Sequence, residues 1–331
     1  MVRRSLSARL SLRLAQHCEG GVAGSIRLRR AGAGRRLTAT LGEDITVRFL
    51  FVDAITSLGE QQIAGRRHFA IMEPLRYQGL TGDLLVAPGA VCEAIGQLAS
   101  WYGLKHLDFA SRQVFLFAER IEILAPVPVG VTLELKVQIH AFDSESFRYS
   151  GVAELDGVPV QRITNCSGYF MPLAELEDPA QTRRSFAALT NGGLIYPEPS
   201  QPAFPFADLA GTCLELVPAK KIHIQHAFAV DAPFYADHFP RFPVTPIVML
   251  NEMIGQATLQ MLGLPARGNL RIRRIDDVKI RSFVRPGETC EAVVTVTANT
   301  DQDGRPQVAT VAEILKAGKR ILRGQYHYEI V

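Results

Sequence analysis

Several features that would mark common protein classes are scarce or missing in this chain. Its five cysteines, Cys18, Cys92, Cys166, Cys213 and Cys290, lie far apart in 331 residues and form no CxxC pair. That spacing argues against a disulfide-dense secreted scaffold and a structural zinc site, and it fits a reducing compartment. No window approaches the ~18 uninterrupted apolar residues of a membrane-spanning helix, so no such helix is expected. With 47% hydrophobic and 21% charged residues the chain is too apolar to remain disordered. Two compact domains are the natural expectation for its length.

Acidic residues are nearly absent from the first 36 positions, which hold nine arginines and the single acid Glu19. The whole chain carries +3 and this segment +8, so the remainder carries −5. Leu6, Leu10 and Leu14 recur every fourth residue in an Arg- and Ser-rich setting, a pattern shared by organellar transit peptides. It equally suits attraction to anionic lipid, or a solvated tail. No aromatic-basic interleaving supports nucleic-acid binding. Residues 1–42 are therefore set apart as an arm, and the expected location is cytoplasmic, or organellar if the arm is a transit peptide.

Beyond the arm, the chain repeats itself once. The stretch EAIGQ at 93–97 returns as EMIGQ at 252–256, an offset of 159, within two long apolar helix candidates. Gly130 and Gly287, offset by 157, each precede a run in which Val, Ile, Leu and Thr alternate with polar residues, over 131–140 and 289–298. Such alternation predicts half-buried antiparallel strands, joined by turns such as Asp156-Gly157 and Asp303-Gly304. The copies fall at 43–173 and 204–331. Between them, 174–203 is rich in proline and contains Asn191-Gly192-Gly193, which predicts a connector running over the surface. A sheet with one apolar helix per copy hides that helix by curling around it, and two copies side by side then form a pseudodimer. The expected class is α+β.

The densest collection of reactive side chains lies in the second copy, in APFYADHFPRFPVTPIVMLNEMIGQ. Prolines 240, 243 and 246 stiffen the loop after His238, since each fixes its own φ. A rigid loop holds an imidazole in one orientation, as proton abstraction requires. The plainer alternative is a histidine satisfied by a backbone carbonyl. The stretch resembles the β-hydroxyacyl-[acyl-carrier-protein] dehydratases, whose motif His-Phe-Pro-Gly-x-Pro-x-x-Pro-Gly is followed by a carboxylate fourteen residues after the His. Here HFPRFPVTPI is followed by Glu252 at that distance. The segments Phe49-Leu50-Phe51-Val52-Asp53 and IDDVKIRSFVRPGE are similar to further stretches of that family, and the likeness spans both copies.

The resemblance implies a double hot dog, two antiparallel sheets each wrapped around a long helix and packed as a pseudodimer. It implies a dehydratase of β-hydroxyacyl thioesters whose site takes His from one copy and an acid from the other. Aligning Pro88-Gly89 with the family's Pro-Gly puts Leu80 where the first copy's His belongs, while Glu93 and Gln97 are kept. The expected live pair is therefore His238 with Glu93, with Glu252 as the second candidate carboxylate, a relic or a structural group. Substrate and oxyanion contacts are implied for Gly89, Ile247, Phe239, Pro246, Gln97 and Gln256. Two departures stand out. Arg241 and Ile247 replace motif glycines, and Glu93 lies four residues after Gly89 instead of five, which predicts a rotation of about 100° unless its helix starts differently. The implied partner is an acyl carrier protein presenting its substrate on phosphopantetheine, steered by Arg271, Arg273, Arg274, Lys279 and Arg281, whose plainer role is a solvated strand face. No metal or redox cofactor is implied. A non-catalytic acyl-carrier-binding protein and a hot-dog thioesterase remain alternatives on the same fold.

Overall fold

The computed structural model describes residues 49–143, 146–193, 205–298 and 307–331; the arm, part of the connector and the Asp303-Gly304 turn lie outside them. The first copy runs β1 (Ala54–Leu58), β2 (Gln62–Phe69), a small hairpin of β3 (Arg76–Gln78) and β4 (Leu84–Val86), then α1 (Pro88–His106). Four long strands follow, β5 (Ser111–Ile123), β6 (Val131–Phe142), β7 (Ser146–Leu155) and β8 (Val158–Pro172). After the short helices α2 (Leu173–Leu176) and α3 (Pro179–Thr190), the second copy runs β9 (Thr212–Val217), β10 (Lys221–Ala227) and α4 (Ile247–Leu262). It ends with β11 (Leu270–Ile280), β12 (Thr289–Ala298), β13 (Gln307–Lys316) and β14 (Lys319–Ile330).

The duplication is written into the sheet. Its order is β1-β2-β6-β7-β8-β5-β11-β14-β13-β12-β10-β9, so the copies read inward from opposite edges through matching strands. They meet where β5 pairs antiparallel with β11, Ile121 opposite Ile275 and Ala118 opposite Val278. Period-two alternation decides which face turns inward. On β6, Leu133, Leu135, Val137 and Ile139 are buried between exposed or half-buried polar neighbours, and on β13 Val308, Thr310, Ala312 and Ile314 are buried in alternation with half-buried residues. The Asp156-Gly157 turn has positive φ at both residues, as a tight hairpin between right-twisted strands demands. Ala317-Gly318 makes an equivalent turn that the sequence pattern did not flag.

Both helices lie inside these sheets. On α4 only Ile247, Asn251 and Gln260 are not buried, so the helix is enclosed on all sides, as its all-round apolar sequence implies. Fully burying each Leu, Ile or Met contributes roughly 1.5–3 kcal/mol, so enclosure holds a helix that has no side-chain N-cap. The N-terminal turns of α1 and α4 pack against each other at Gly89, where an added Cβ would lie 3.0 Å from Cβ of Val248.

The connector differs from a plain surface run. Asp178 caps α3 by accepting from the amides of Ala180 and Gln181, with Pro179 in the first turn, and Leu173, Leu176 and Leu189 are buried. Apolar residues at the right places turn the segment into packed helices despite its proline-rich composition. Among the described residues no helix is long and apolar enough to cross a membrane.

The helix contact predicts opposite outcomes at two glycines. Gly89→Val inserts bulk at a filled crossing and is expected to lower stability by about 1–3 kcal/mol in urea denaturation. Gly255→Ala, where a Cβ meets nothing within 4 Å, is expected to raise it by up to about 1 kcal/mol.

Candidate functional site

The loop that carries His238 is fixed from several sides. The His238 amide donates to Phe234 O (3.1 Å), the Thr245 amide to Val284 O (2.7 Å), and Tyr235 Oη bonds Thr245 Oγ1 (2.8 Å). Phe239 has φ +59°, a left-handed conformation that a bulky residue adopts only when its surroundings impose it. The His238 ring lies edge-on to Phe49 at 5.3 Å and against Phe239 at 4.4 Å. Its Nδ1 is 2.9 Å from Val244 O. A carbonyl only accepts, so Nδ1 carries the proton and Nε2 keeps its lone pair. The backbone-carbonyl reading and the reactive reading thus coincide, because the carbonyl sets the tautomer. Burial, assisted by the nearby Arg112 charge and opposed by the Val244 bond, pushes the imidazole down to about 4.

Glu93 comes from the other copy. Its Oε1 accepts from Gln97 Nε2 (3.0 Å), which also donates to Phe49 O (3.0 Å), while Gln97 Oε1 accepts from the Phe51 amide (2.8 Å). The Phe49–Asp53 segment therefore braces the amide that braces the acid. Burial raises the Glu93 carboxyl above its ordinary range, against the opposing effects of the Gln97 bond and the Arg112 charge. The predicted rotation of Glu93 does not occur. Helix α1 begins at Pro88 and α4 at Ile247, the same 159-residue offset as Glu93 and Glu252, so both carboxylates sit five residues into their helices. Proline suits the first helical position, where its missing N–H is no loss, and the shorter spacing is absorbed ahead of the helix.

His238 and Glu93 line one cavity that opens to solvent. Gln97, Phe239 and Ile247 share its wall, with Ile121, Val114, Ile280 and Phe283 supplying apolar surface. Ile247 opens α4, so its N–H lacks an acceptor within the helix and stands at the positive end of the dipole. Three expected contacts are not part of this wall. Gly89 is spent on the packing against Val248, since its true counterpart is Val248 and not Ile247. Pro246 precedes the helix as its cap residue, and Gln256 is buried on α4 outside the cavity lining. Arg112, at the start of β5, lines the cavity without having been singled out in the sequence; no motif surrounds it, and only the folded sheet carries it there.

The counterpart site is closed. Leu80 stands on the surface at 51% exposure, and Glu252 is buried against Arg267, with Nε 3.2 Å from Oε2. Arg267 also lies over the Tyr77 ring at 4.9 Å. Glu252 is thus held in an ion pair and is not part of the cavity wall that His238 lines. The expected basic cluster divides. Arg271 and Arg273 face Glu329 of β14 across the strand pair at 3.6 and 4.0 Å, and Arg274 meets Asp276 of its own strand at 2.7 Å. Lys279 and Arg281 instead join Arg320 and Arg323 in a separate groove.

With this geometry in view, the likeness to known proteins is informative. A family model described as ApeI-like, ApeI dehydratase, matches residues 215–310. The 3-hydroxyacyl-[acyl-carrier-protein] dehydratase FabZ of Oenococcus oeni is 32% identical over 107 residues, 31% of this chain and 77% of that protein. The corresponding protein of Myxococcus xanthus is 25% identical over 134 residues, covering 39% of this chain and 84% of that one. That of Zymomonas mobilis is 35% identical over 77 residues, 22% of this chain and about half (49%) of the relative. Among solved structures, a chain described as an oleoyl thioesterase from Lactobacillus plantarum superposes with TM-score 0.53 at 12% identity over 82% of this chain and 98% of its own, which supports the fold alone. This chain is a member of the hot-dog dehydratase family to which the 3-hydroxyacyl-[acyl-carrier-protein] dehydratases belong.

Proposed function

We propose that the chain dehydrates β-hydroxyacyl thioesters, carried on the phosphopantetheine of an acyl carrier protein, to trans-2-enoyl thioesters in a fatty-acid or polyketide-like synthesis. The observation that carries this reading is the meeting of His238 and Glu93, from different copies, in one largely apolar cavity.

In the proposed reaction, neutral Nε2 of His238 takes the α-proton, and the C–H electrons form the new double bond. The β C–O bond breaks with its electron pair staying on oxygen, which takes the Glu93 proton and departs as water. His238 is left protonated and Glu93 ionised, and exchange with solvent resets both. Charge that grows on the thioester oxygen is met by the Ile247 N–H at the start of α4. Burial favours the starting protonation state of both groups, because it disfavours charge on either one.

The test follows enoyl product from a β-hydroxyacyl thioester. His238→Ala and Glu93→Gln are each expected to lower kcat by ~10²–10⁴. Enoyl formation that persists in both would defeat the reading, and release of free thiol without enoyl product would mark a thioesterase. Binding of the acyl carrier without turnover would instead mark a carrier-binding protein.

Glu252→Gln is expected to retain activity yet lose roughly 3 kcal/mol of stability, because Arg267 is left charged and buried without its partner. Full activity loss in a folded Glu252→Gln protein, with Glu93→Gln active, would reassign the acid.

The pH dependence has a definite sign. Activity needs unprotonated His238, so kcat/KM should climb through about pH 4 and be fully developed at pH 5.5, where an ordinary histidine of pKa ~6.5 is mostly charged. The falling limb, set by ionisation of Glu93, should lie above the ordinary carboxylate range. A rising limb near 6.5 would contradict this arrangement.

A further inference from the structure

The connector reaches the site through one helical turn. Leu173 and Leu176 of α2 are fully buried, and the Leu173 amide donates to Ala110 O (2.9 Å), next to the start of β5. The residue after this turn, Glu177, accepts a hydrogen bond from Nη1 of Arg112. Arg241, which stands where the family motif has glycine, ties the His238 loop to the same turn. Its amide donates to Leu176 O (3.0 Å) and its guanidinium to Ala174 O (2.9 Å). The Arg112 guanidinium lies over the Phe239 ring at 5.6 Å, beside His238 in sequence, and its side chain is only 11% exposed. The Arg112 guanidinium is thus held between the connector, through Glu177, and the His238 loop, through Phe239, in the wall that His238 and Glu93 share.

We propose that Arg112 is a positioning residue of this centre: a fixed cation, held by Glu177, that discourages charge on the resting imidazole and eases proton release from the acid. The inference deepens the dehydratase reading and rests on it. Developing negative charge on Glu93 is attracted by a guanidinium whose geometry is set before reaction, so no reorganisation accompanies the step. The same cation opposes protonation of His238, which keeps the base free in the resting state. Arg112 lowers the affinity of both groups for protons, in the same direction. The other ionisable groups on the wall are Asp237 on the His238 loop, and Cys92, Cys166 and Tyr149. Burial raises the last three, so they stay neutral near pH 7.

The experiment titrates His238 in the full chain by NMR of the histidine rings, its signal assigned by absence in His238→Ala, and measures kcat/KM against pH on the same proteins. Arg112→Gln is expected to move the His238 midpoint up by about one pH unit and both limbs of the rate profile upward together. Arg112→Lys, which keeps the charge, is expected to restore most of the midpoint. An unmoved midpoint in folded Arg112→Gln, or the same shift in Gln and Lys variants, would overturn the proposal. A Glu177→Gln midpoint equal to that of wild type would remove the connector from it. Absence of enoyl product in wild type would defeat the dehydratase reading, and the NMR midpoint would still judge the role of Arg112.

Discussion

The backbone pairing of β5 with β11 is the constraint on which the rest of this molecule depends. Strand ladders tolerate little slippage when one face is buried, because a shift of one residue exchanges the inner and outer side chains. With Ile121 opposite Ile275 and Ala118 opposite Val278, the seam sets the two copies in one register. The helices they enclose then meet through their first turns at Gly89 and Val248. From that register it follows that a loop of the second copy faces a helix of the first, and that one carboxyl and one imidazole share a cavity. A dimer of identical halves would have made two such sites. In this chain Glu252 is instead ion-paired with Arg267, and Leu80 stands on the surface.

In the proposed reaction, desolvation prepares both groups. The same removal from water lowers the proton affinity of an imidazole and raises that of a carboxylic acid, so a single apolar cavity prepares a base and an acid without separate devices for each. What distinguishes the two groups is their anchoring. Val244 O orients the imidazole and fixes its tautomer, and Gln97, held by Phe49 and Phe51, orients the acid. Arg112, in the same cavity wall, is paired with Glu177 of the connector, so the segment between the copies reaches that wall through one ion pair.

Much of this was legible beforehand, for identifiable reasons. The duplication showed because both helices keep Glu and Gln four residues apart, and the strands showed through strict alternation, as on β6. The expected pairing of His238 with Glu93 came from the family resemblance, which implies a His from one copy and an acid from the other, together with Leu80 standing at the first copy's His position. Other parts were hidden. Counting from Gly89 misjudged the start of α1, because the shorter spacing is taken up before the helix and Pro88 occupies its first turn. Composition made the connector look like a loop, although Asp178 and Pro179 form a good helix start and three leucines find burial. Arg112 carried no signal, since a lone arginine at a strand end looks like any surface charge.

Taken alone, the sequence determined the local periods, the repeat and the residues of the His238 motif, because these depend on residue order within a few turns of chain. Tertiary structure decided which carboxylate shares the cavity with the imidazole, which glycine is used for packing, and where Arg112 points. Those outcomes depend on contacts between residues far apart in the chain, such as Arg112 with Glu177 and Gln97 with Phe49, and such contacts arise only once the sheet has closed around its helices.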